Sequence, residues 1–161
     1  MMPPEFSAIP GAQGYQQSNP SVFATVALLG ALETFELSGG IHKLRQKSVR
    51  LTGYLEKRLR KLEYFVEKYD KDGPSSRTRF FTIITPKKPD ERGAQLSLLF
   101  YPPQSGTIQK IEKALKARGV IADERQPDVI RFAPNPLYNT FQDCLVAANA
   151  LDEAFKELDS P

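Results

Sequence analysis

The sequence predicts an α+β domain in which a short, mostly antiparallel sheet is covered by helices on one face. The chain begins with two helical patterns. Two pairs of strand-length apolar runs come later, and each pair is followed by one helical pattern. The predicted order is α, α, β, β, α, β, β, α. The 161 residues, 40% of them apolar, are enough for a single domain with a buried core.

Residues 1–19 are expected to form an extended segment, because four prolines or glycines fall within the first eleven positions and no period is sustained. The domain itself is expected to span residues 20–161. It begins with a mostly apolar helix that starts at Pro20 and is stopped by Ser38, Gly39 and Gly40. A helix that is apolar on most faces is expected to be well buried.

The second helix is predicted from Ile41 to Val66, because apolar residues recur at spacings of three and four. A loop is predicted at 70–77, DKDGPSSR. The runs FFTIIT (80–85) and QLSLLF (95–100) are predicted strands, joined by PKKPDERGA, and are expected to be antiparallel neighbours.

The third helix is predicted over 107–119, TIQKIEKALKARG, with Thr107 as its cap and Gly119 as its stop. A brief strand VIA (120–122), a turn DERQPD and a last strand VIRFAP (129–134) follow. The final helix comes after NPLYN. It carries one apolar stripe: Phe141, Leu145, Ala148, Leu151, Phe155 and Leu158.

Composition limits the classes of function. A single cysteine excludes an internal disulfide framework, and no signal-peptide pattern opens the chain, so a cytoplasmic location is expected. The longest apolar run, VFATVALLGAL, is too short to span a hydrocarbon layer of roughly 30 Å, so no membrane span is expected. The net charge of +3 and the pI near 9.0 permit an anionic ligand but are too weak to indicate nucleic acid.

No self-contained catalytic or metal site is predicted. The single histidine, His42, lies in the first turn of the second helix without a cysteine or carboxylate constellation, and is interpreted as part of a solvated face. Cys144 lies beside the apolar stripe of the last helix, where a free cysteine usually behaves as a small buried hydrophobe. Phosphate-loop and metal-ligand spacings are missing from the sequence.

The second helix is rich in lysine and arginine, but this pattern does not predict a nucleic-acid track. Glu56, Glu63 and Glu67 are interspersed, and no aromatic residues alternate with the basic ones as stacking on bases requires. A solvated basic face is the preferred interpretation. The basic residues are Lys43, Arg45, Lys47, Arg50, Lys57, Arg58, Arg60 and Lys61.

Arg131 is the strongest candidate for ligand binding, because it lies inside the apolar strand VIRFAP just before a proline-rich bend. This bend is expected to place its side chain at the edge of the sheet. An arginine there can bind a carboxylate through two parallel charge-assisted hydrogen bonds. The alternative, which the spacing alone favours, is an exposed arginine on an edge strand, where charged residues are common.

The residues Ser18, Asn19 and Pro20 combine three helix-start signals. Pro20 suits the first helical position, and Ser18 or Asn19 can accept hydrogen bonds from the free amides of the first turn. Those same amides, aided by the helix dipole, can also bind an anion. Capping and anion binding are both compatible with the sequence.

Four segments, in order and at suitable separations, resemble the C-terminal third of kynureninase. They are IPGAQGYQQSNPSV (9–22), LRQKSVRLTGYLE (44–56), TPKKPDERGAQLSL (85–98) and RFAPNPLYNTFQD (131–143). The similarity runs from near Glu5 almost to the end of the chain. Four ordered matches with several unusual residues each are more specific than any single motif.

This resemblance implies the small C-terminal domain of a fold-type I pyridoxal-phosphate (PLP) enzyme of the aspartate-aminotransferase group. The implied activity is hydrolysis of kynurenine or 3-hydroxykynurenine to an anthranilate and alanine, in tryptophan breakdown and NAD synthesis, by a homodimer. It also implies three roles: Asn19 as a ligand of the cofactor phosphate across the dimer interface, Ser18 in the pocket for the substrate's aromatic ring, and Arg131 as the anchor of the substrate α-carboxylate.

The same resemblance exposes what this sequence lacks. A PLP enzyme needs a Schiff-base lysine, an acidic partner for the pyridine nitrogen and an aromatic stack over the ring. In the family these lie upstream of every segment matched here, and this chain contains no tryptophan. We therefore expect a fragment with no turnover of its own and no catalytic residue. The alternative is a free-standing, non-catalytic α+β module that binds a partner protein.

Separation from a larger domain has a consequence for the first helix. Phe23, Leu28, Leu29 and Phe35 point in several directions and are expected to leave an apolar surface uncovered. Dimerisation or poor solubility is the predicted result.

Overall fold

The predicted α+β order is confirmed in the computed structural model, which describes residue 5 and residues 7–67 and 78–160. The predicted loop 70–77 lies outside the described residues. The helices are α1 (Val22–Leu37), α2 (Gly40–Leu59), α3 (Thr107–Ala117) and α4 (Phe141–Asp159). The strands are β1 (Phe80–Ile83), β2 (Leu96–Tyr101), β3 (Asp123–Arg125) and β4 (Val129–Phe132), and short 3₁₀ turns occur at Ala12–Tyr15 and Pro89–Glu91.

The sheet has the strand order β1-β2-β4-β3, and each neighbouring pair is antiparallel. Side chains alternate across it, so that one face carries the buried set Phe81, Leu96, Leu98, Phe100, Ile130 and Phe132. This set packs in one cluster with side chains of α2, α3 and α4. The prediction of a sheet covered by helices on one face is therefore confirmed, and residues with the opposite parity, Arg131 among them, lie on the other face, here called the open face.

Four stacked aromatic rings occupy the centre of the core. Phe155 of α4 stacks on Tyr64 with ring centroids 4.5 Å apart and lies 5.8 Å from both Phe81 and Phe100. The Phe155 side chain is fully buried. Burying a Phe side chain of this size contributes about 1.5–3 kcal/mol to folding.

α2 is shorter than predicted, since it ends at Leu59 rather than at Val66. Beyond it the chain leaves the helix and runs along β1: the Val66 amide donates to the Phe81 carbonyl, and the Phe81 amide donates to the Tyr64 carbonyl. The three-and-four spacing continued past Leu59 in part because Leu62, although outside the helix, packs against the same core.

The strand that precedes β4 lies three residues further on than predicted. The segment DER, expected to be part of a turn, forms β3, whereas VIA leads into it. Asp123 pairs with Arg131 and Arg125 with Val129, which leaves only residues 126–128 for the turn. The prediction was wrong because the apolar triplet VIA is a stronger strand signal than the charged triplet DER. Charged residues are nevertheless common in an exposed edge strand such as β3.

Other bounds differ by one to three residues. β1 and β4 end two residues earlier than predicted, at Ile83 and Phe132, and β2 is displaced by one residue. Thr107 is the first residue of α3 rather than its cap, which is Gly106 in a left-handed conformation. Gly119, with φ of 74°, follows the end of α3 as predicted.

α1 is the part of the fold that departs most from expectation. It begins at Val22, not at Pro20, and Ser21 caps it by accepting a hydrogen bond from the Ala24 amide at 3.4 Å. Every residue of α1 except the half-buried Phe35 is exposed, so the expected burial is wrong for this chain. The expected uncovered apolar surface is present, and Phe23 is 88% exposed.

Candidate functional site

Arg131 lies in the middle of the sheet, on the open face. It is opposite Ser97 of β2 on one side and opposite Asp123 of β3 on the other. Its neighbours along β4, Ile130 and Phe132, point into the core. The alternation of the strand therefore directs the Arg131 side chain away from the helices, and 29% of it is exposed.

The prediction that Arg131 lies at the edge of the sheet is wrong. β4 has a strand on each side, because β3 pairs with it where the sequence suggested a turn. The alternative of an arginine on an exposed edge strand is wrong for the same reason. An interior strand holds the backbone of this arginine on both sides, so the base of its side chain has a defined position.

The Arg131 guanidinium is held by one carboxylate. Its Nε donates to Asp123 Oδ2 at 2.6 Å, and its Nη2 donates to the same oxygen. Arg125 Nη2 lies 3.1 Å from that oxygen as well. The guanidinium groups of Arg131 and Arg125 thus contact the same carboxylate oxygen on the open face, and the three side chains together carry a net charge of +1.

On the β2 side, polar groups surround Ser97. The Ser97 amide donates to Thr85 Oγ1 at 2.7 Å, and Gln95 Nε2 donates to Ser97 Oγ at 3.1 Å. A shallow cavity of about 350 Å³ opens beside these residues and is also lined by Arg92. Arg131 does not line this cavity. Its cross-strand partner Ser97 does, so the arginine lies one strand away from the cavity.

Ser18 and Asn19 are not brought to Arg131. Both lie before the start of α1 with exposed side chains, and the Ser18 carbonyl accepts from Gln16 Nε2 at 2.7 Å. Within the described residues, no hydrogen bond joins either of them to the open face. The interpretation of Ser18 or Asn19 as a cap of α1 is corrected, since Ser21 caps it two residues later.

Cys144 is a buried core residue, as predicted. Its side chain is 2% exposed and its Sγ donates weakly to the Leu51 carbonyl at 3.9 Å. Burial, together with the neighbouring charge of Asp143, raises the pKa of the thiol to about 11. The thiolate is the reactive form of cysteine, so this residue is unsuited to nucleophilic chemistry.

Cys144 also forms part of the wall of a second cavity, of about 230 Å³, between the end of α3 and the start of α4. Its two polar side chains, Asn139 and Asp143, each accept a hydrogen bond from the backbone. Asn139 Oδ1 accepts from the Asn135 amide at 2.8 Å, and Asp143 Oδ2 accepts from the Thr140 amide at 2.8 Å. These bonds begin α4 with a capping box, and the hydrogen bonds from Thr140 lower the pKa of Asp143. The cavity's polar groups therefore serve the fold.

The basic face of α2 is only partly solvated, which corrects its interpretation. Arg45 donates to the carbonyls of Pro89 and Arg92, and Lys47 Nζ donates to the Pro136 carbonyl at 2.6 Å. These bonds attach the β1–β2 connection and the segment before α4 to one helix. His42, Lys43, Arg50, Lys57 and Lys61 are exposed, as predicted for a solvated face.

The described residues contain no group of three or more His, Cys, Asp or Glu side chains placed to hold a metal ion. No single described helix has the length and apolar character needed to cross a bilayer. Only α1 and α2 counted together, with a bend of 73° between them, reach those values by length and composition.

Asp123 is the site residue that sequence reasoning missed. Its one signal was the alternation in DER, which places Asp123 and Arg125 on the same side of a strand. Nothing in the sequence states which residue faces Arg131, because the pairing depends on the register between β3 and β4.

Comparison with known proteins decides the family. The model of the kynureninase C-terminal domain matches residues 44–151, which include the sheet, α3 and most of α2 and α4. The chain belongs to the kynureninase family. The resemblance in the four segments is thereby confirmed, and the family is PLP-dependent.

Individual fungal relatives agree. The chain is 44% identical to the kynureninase of Scheffersomyces stipitis in an alignment of 161 positions that covers 97% of this chain. It is 47% identical to that of Yarrowia lipolytica over 152 residues (93% of this chain) and 45% identical to that of Saccharomyces cerevisiae over 161 residues (95%). The matches cover 34% of each of these proteins, so this kynureninase-family chain spans about a third of the length of the curated relatives it matches.

Proposed function

We propose that this chain contributes the carboxylate-binding part of a kynureninase, which hydrolyses L-kynurenine or 3-hydroxykynurenine to anthranilate or 3-hydroxyanthranilate and L-alanine. Arg131 binds the α-carboxylate of the substrate. The observation that carries the proposal is the position of this arginine: it lies on the open face of the sheet, with a partly exposed guanidinium, inside the region that the family model matches.

The chemistry of the guanidinium suits this role. Arginine is always charged near neutral pH and can give a carboxylate two parallel hydrogen bonds, which lysine cannot do. The net charge of +1 over Arg131, Arg125 and Asp123 favours an anion with a single charge. On this face 29% of the Arg131 side chain is exposed, so part of the guanidinium-bearing side chain is accessible to an approaching ligand.

The described residues do not form a PLP site on their own. Asn19, which the family resemblance assigns to the cofactor phosphate, has an exposed side chain with no hydrogen bond inside the described chain. One amide without a cradle of further donors is a poor match to a phosphate group. We propose that Asn19, and Ser18 beside it, serve a site completed by another polypeptide, in the family's homodimer, and we derive no chemical step through the cofactor.

The isolated chain is expected to be inactive. Purified protein with added PLP should hydrolyse neither L-kynurenine nor 3-hydroxykynurenine, and borohydride followed by peptide mapping should find no lysine adduct. Fluorescence of the anthranilate product measures the first and mass spectrometry the second. Turnover by this chain alone, or a robust adduct on one of its lysines, would contradict the proposal.

A fusion tests the positive part of the proposal. The first two thirds of the Saccharomyces cerevisiae kynureninase, joined to this chain in place of its own matching third, should hydrolyse kynurenine. Arg131→Lys should lower kcat/KM about 10- to 100-fold, since lysine keeps the charge but cannot give the carboxylate two parallel hydrogen bonds. Arg118→Lys is the matched control, because Arg118 is equally half-buried and bonds only side chains and backbone of the fold, at Glu153, Glu157 and Ala114. Equal activity of Arg131→Lys and the unsubstituted fusion would remove Arg131 from the site.

A second candidate function, a non-catalytic module that binds a partner protein, is favoured by one observation. The exposed α1 presents large apolar side chains along its whole length, including Phe23, Leu29 and Leu32. A full-length kynureninase is the partner to test. Co-elution in size-exclusion chromatography at micromolar concentration would favour this candidate, and separate elution would count against it.

A further inference from the structure

We propose that Asp123 is a positioning residue, which holds one edge of the Arg131 guanidinium and so directs the opposite edge toward the substrate carboxylate. This inference rests on the proposed function and deepens it, because it concerns how the anchor is oriented. Asp123 touches the arginine, not the substrate.

The geometry of the pair distinguishes the two edges. The Nε and Nη2 of Arg131 both donate to the single oxygen Oδ2 of Asp123. A guanidinium has five N–H donors, and this contact uses those on the Nε side. Among the described residues, Nη1 donates to no acceptor. The edge formed by Nη1 and Nη2 is therefore the one that a second carboxylate can bind with two parallel bonds.

The sheet explains why the contact is fixed. Asp123 and Arg131 are direct partners in the β3–β4 register, so their side chains leave the open face next to each other. β2 holds β4 from the other side, with Ser97 opposite Arg131. A long arginine side chain on an open surface samples many rotamers, and a carboxylate at a fixed cross-strand position restricts it to few.

The charges around Arg131 indicate that Asp123 orients this arginine without neutralising the whole group. Asp123 alone would cancel the charge of Arg131 and weaken its attraction for an anion. Arg125 Nη2, at 3.1 Å from the same oxygen, returns the group to a net +1. Arg125 lies two residues from Asp123 on the same face of β3, so the compensation is built into one strand.

The exposure of the pair makes the inference testable. The side chains of Arg131 and Asp123 are 29% and 45% exposed, and ion pairs with this access to water contribute little to folding. Asp123→Asn keeps the size of the side chain and removes its charge. The variant is therefore expected to fold like the unsubstituted chain. Its group of charges is more positive, which by itself favours an anion, so a loss of carboxylate binding in this variant reports orientation of the arginine.

The closing experiment uses the ¹⁵N- and ¹³C-labelled 161-residue chain and sodium acetate, titrated against sodium chloride at constant ionic strength. The Arg131 Nε–H and Cζ signals are assigned by their loss in Arg131→Lys. Acetate is expected to shift them saturably in the unsubstituted chain. Asp123→Asn should weaken this response about tenfold and speed the exchange of the Nε–H with water, and Asp123→Glu should restore much of both.

Glu153→Gln is the matched control, since it removes the carboxylate from Arg118 Nε, 2.9 Å away, and should leave the Arg131 signals unchanged. An acetate response in Asp123→Asn that equals or exceeds that of the unsubstituted chain would overturn the inference, because Asp123 would then be a competitor or irrelevant. The absence of any acetate response in the unsubstituted chain would overturn it too.

Kinetics of the fusion with the yeast protein separate this inference from the proposed function. Asp123→Asn should raise KM for kynurenine about tenfold and change kcat little. An active fusion whose KM is unaffected would contradict the inference and leave the function in place. An inactive unsubstituted fusion would count against the function, and the acetate titration would still decide how Asp123 acts on Arg131.

Discussion

α1 and α4 are helices of similar length that differ in burial. α4 buries one stripe, with Cys144, Ala148, Leu151 and Phe155 at spacings of three and four, and exposes its charged residues. α1 carries apolar residues on every side and buries none completely. The difference shows that burial requires a neighbour for each apolar face, and a helix without a polar side needs neighbours all round.

The comparison extends to two regions of the molecule. The N-terminal arm, residues 7–37, is almost wholly exposed, whereas the body, residues 40–67 and 78–160, contains the entire buried cluster. Among the described helices and strands, α1 contacts chiefly α2. We therefore expect the stability of the folded chain to reside in the body, and substitutions of the same type to act very differently in the two regions.

The largest expected effect is that of Phe155→Ala. Phe155 is fully buried and stacks on Tyr64, so its truncation should lower the free energy of unfolding by about 3–5 kcal/mol. Urea denaturation followed by circular dichroism measures this. Phe23→Ala is the matched control in the arm and should change the value by less than about 0.5 kcal/mol. Similar losses of unfolding free energy for both variants would show that the arm contributes to stability as the body does, contrary to expectation.

The second effect concerns Cys144. Burial raises the pKa of its thiol from 9.0 to about 11. At pH 8 this lowers the thiolate fraction about 100-fold, so iodoacetamide should label the native chain at least about 100-fold more slowly than the unfolded chain. Mass spectrometry of timed samples measures the two rates. Comparable rates would show that the core around α4 opens readily.

The same pKa has a consequence for stability. Because the folded-state pKa is higher than the unfolded one, the contribution of Cys144 is complete below pH 9 and is lost as the pH rises toward 11. Cys144→Ala should make the unfolding free energy less sensitive to pH in that window. Identical alkaline profiles for the two proteins would contradict this.

A smaller effect is expected at the helix caps. Thr140 Oγ1 accepts from the Asp143 amide at 3.2 Å and begins α4, so Thr140→Ala should cost about 1 kcal/mol. Ser21→Ala removes the equivalent cap of α1 and should not change the unfolding of the body. Thermal and urea unfolding of both variants provide the test, and a cost at Ser21 equal to that at Thr140 would show that the arm and the body unfold together.

The smallest effect on stability is expected from removing residues 1–37, which should alter the free energy of unfolding by less than about 0.5 kcal/mol. The same deletion should abolish self-association, which the exposed apolar surface of α1 predicts for the 161-residue chain. Sedimentation velocity over a range of concentrations measures the association. A 161-residue chain that stays monomeric at high concentration would refute the role of α1, and the double variant Phe23→Ser, Leu29→Ser offers a test without truncation.

Much of the candidate site was accessible from the sequence, but not its arrangement. Arg131 was conspicuous as a charge within an apolar strand, and the family resemblance is the source of the role proposed for it. Asp123 was not recognised, since a cross-strand partner eight residues away depends on where the turn falls. Ser18, Asn19 and Ser21 are all good caps by residue type, and only the path of the backbone selects Ser21.

Periodicity alone determined the order of the helices and strands, the antiparallel pairing of β1 with β2, and most of the buried stripes of α2, α3 and α4, because these follow from the local geometry of each element. The first predicted member of two stripes, Ile41 in α2 and Phe141 in α4, is exposed, so periodicity did not determine where burial begins along those helices. Membership of the kynureninase family was equally present in the sequence, in four ordered segments. The interior position of β4, the ion pair of Arg131 with Asp123 and the exposure of α1 were decided by the tertiary structure. Each depends on which distant segment comes to lie beside a given residue, and no local pattern encodes that.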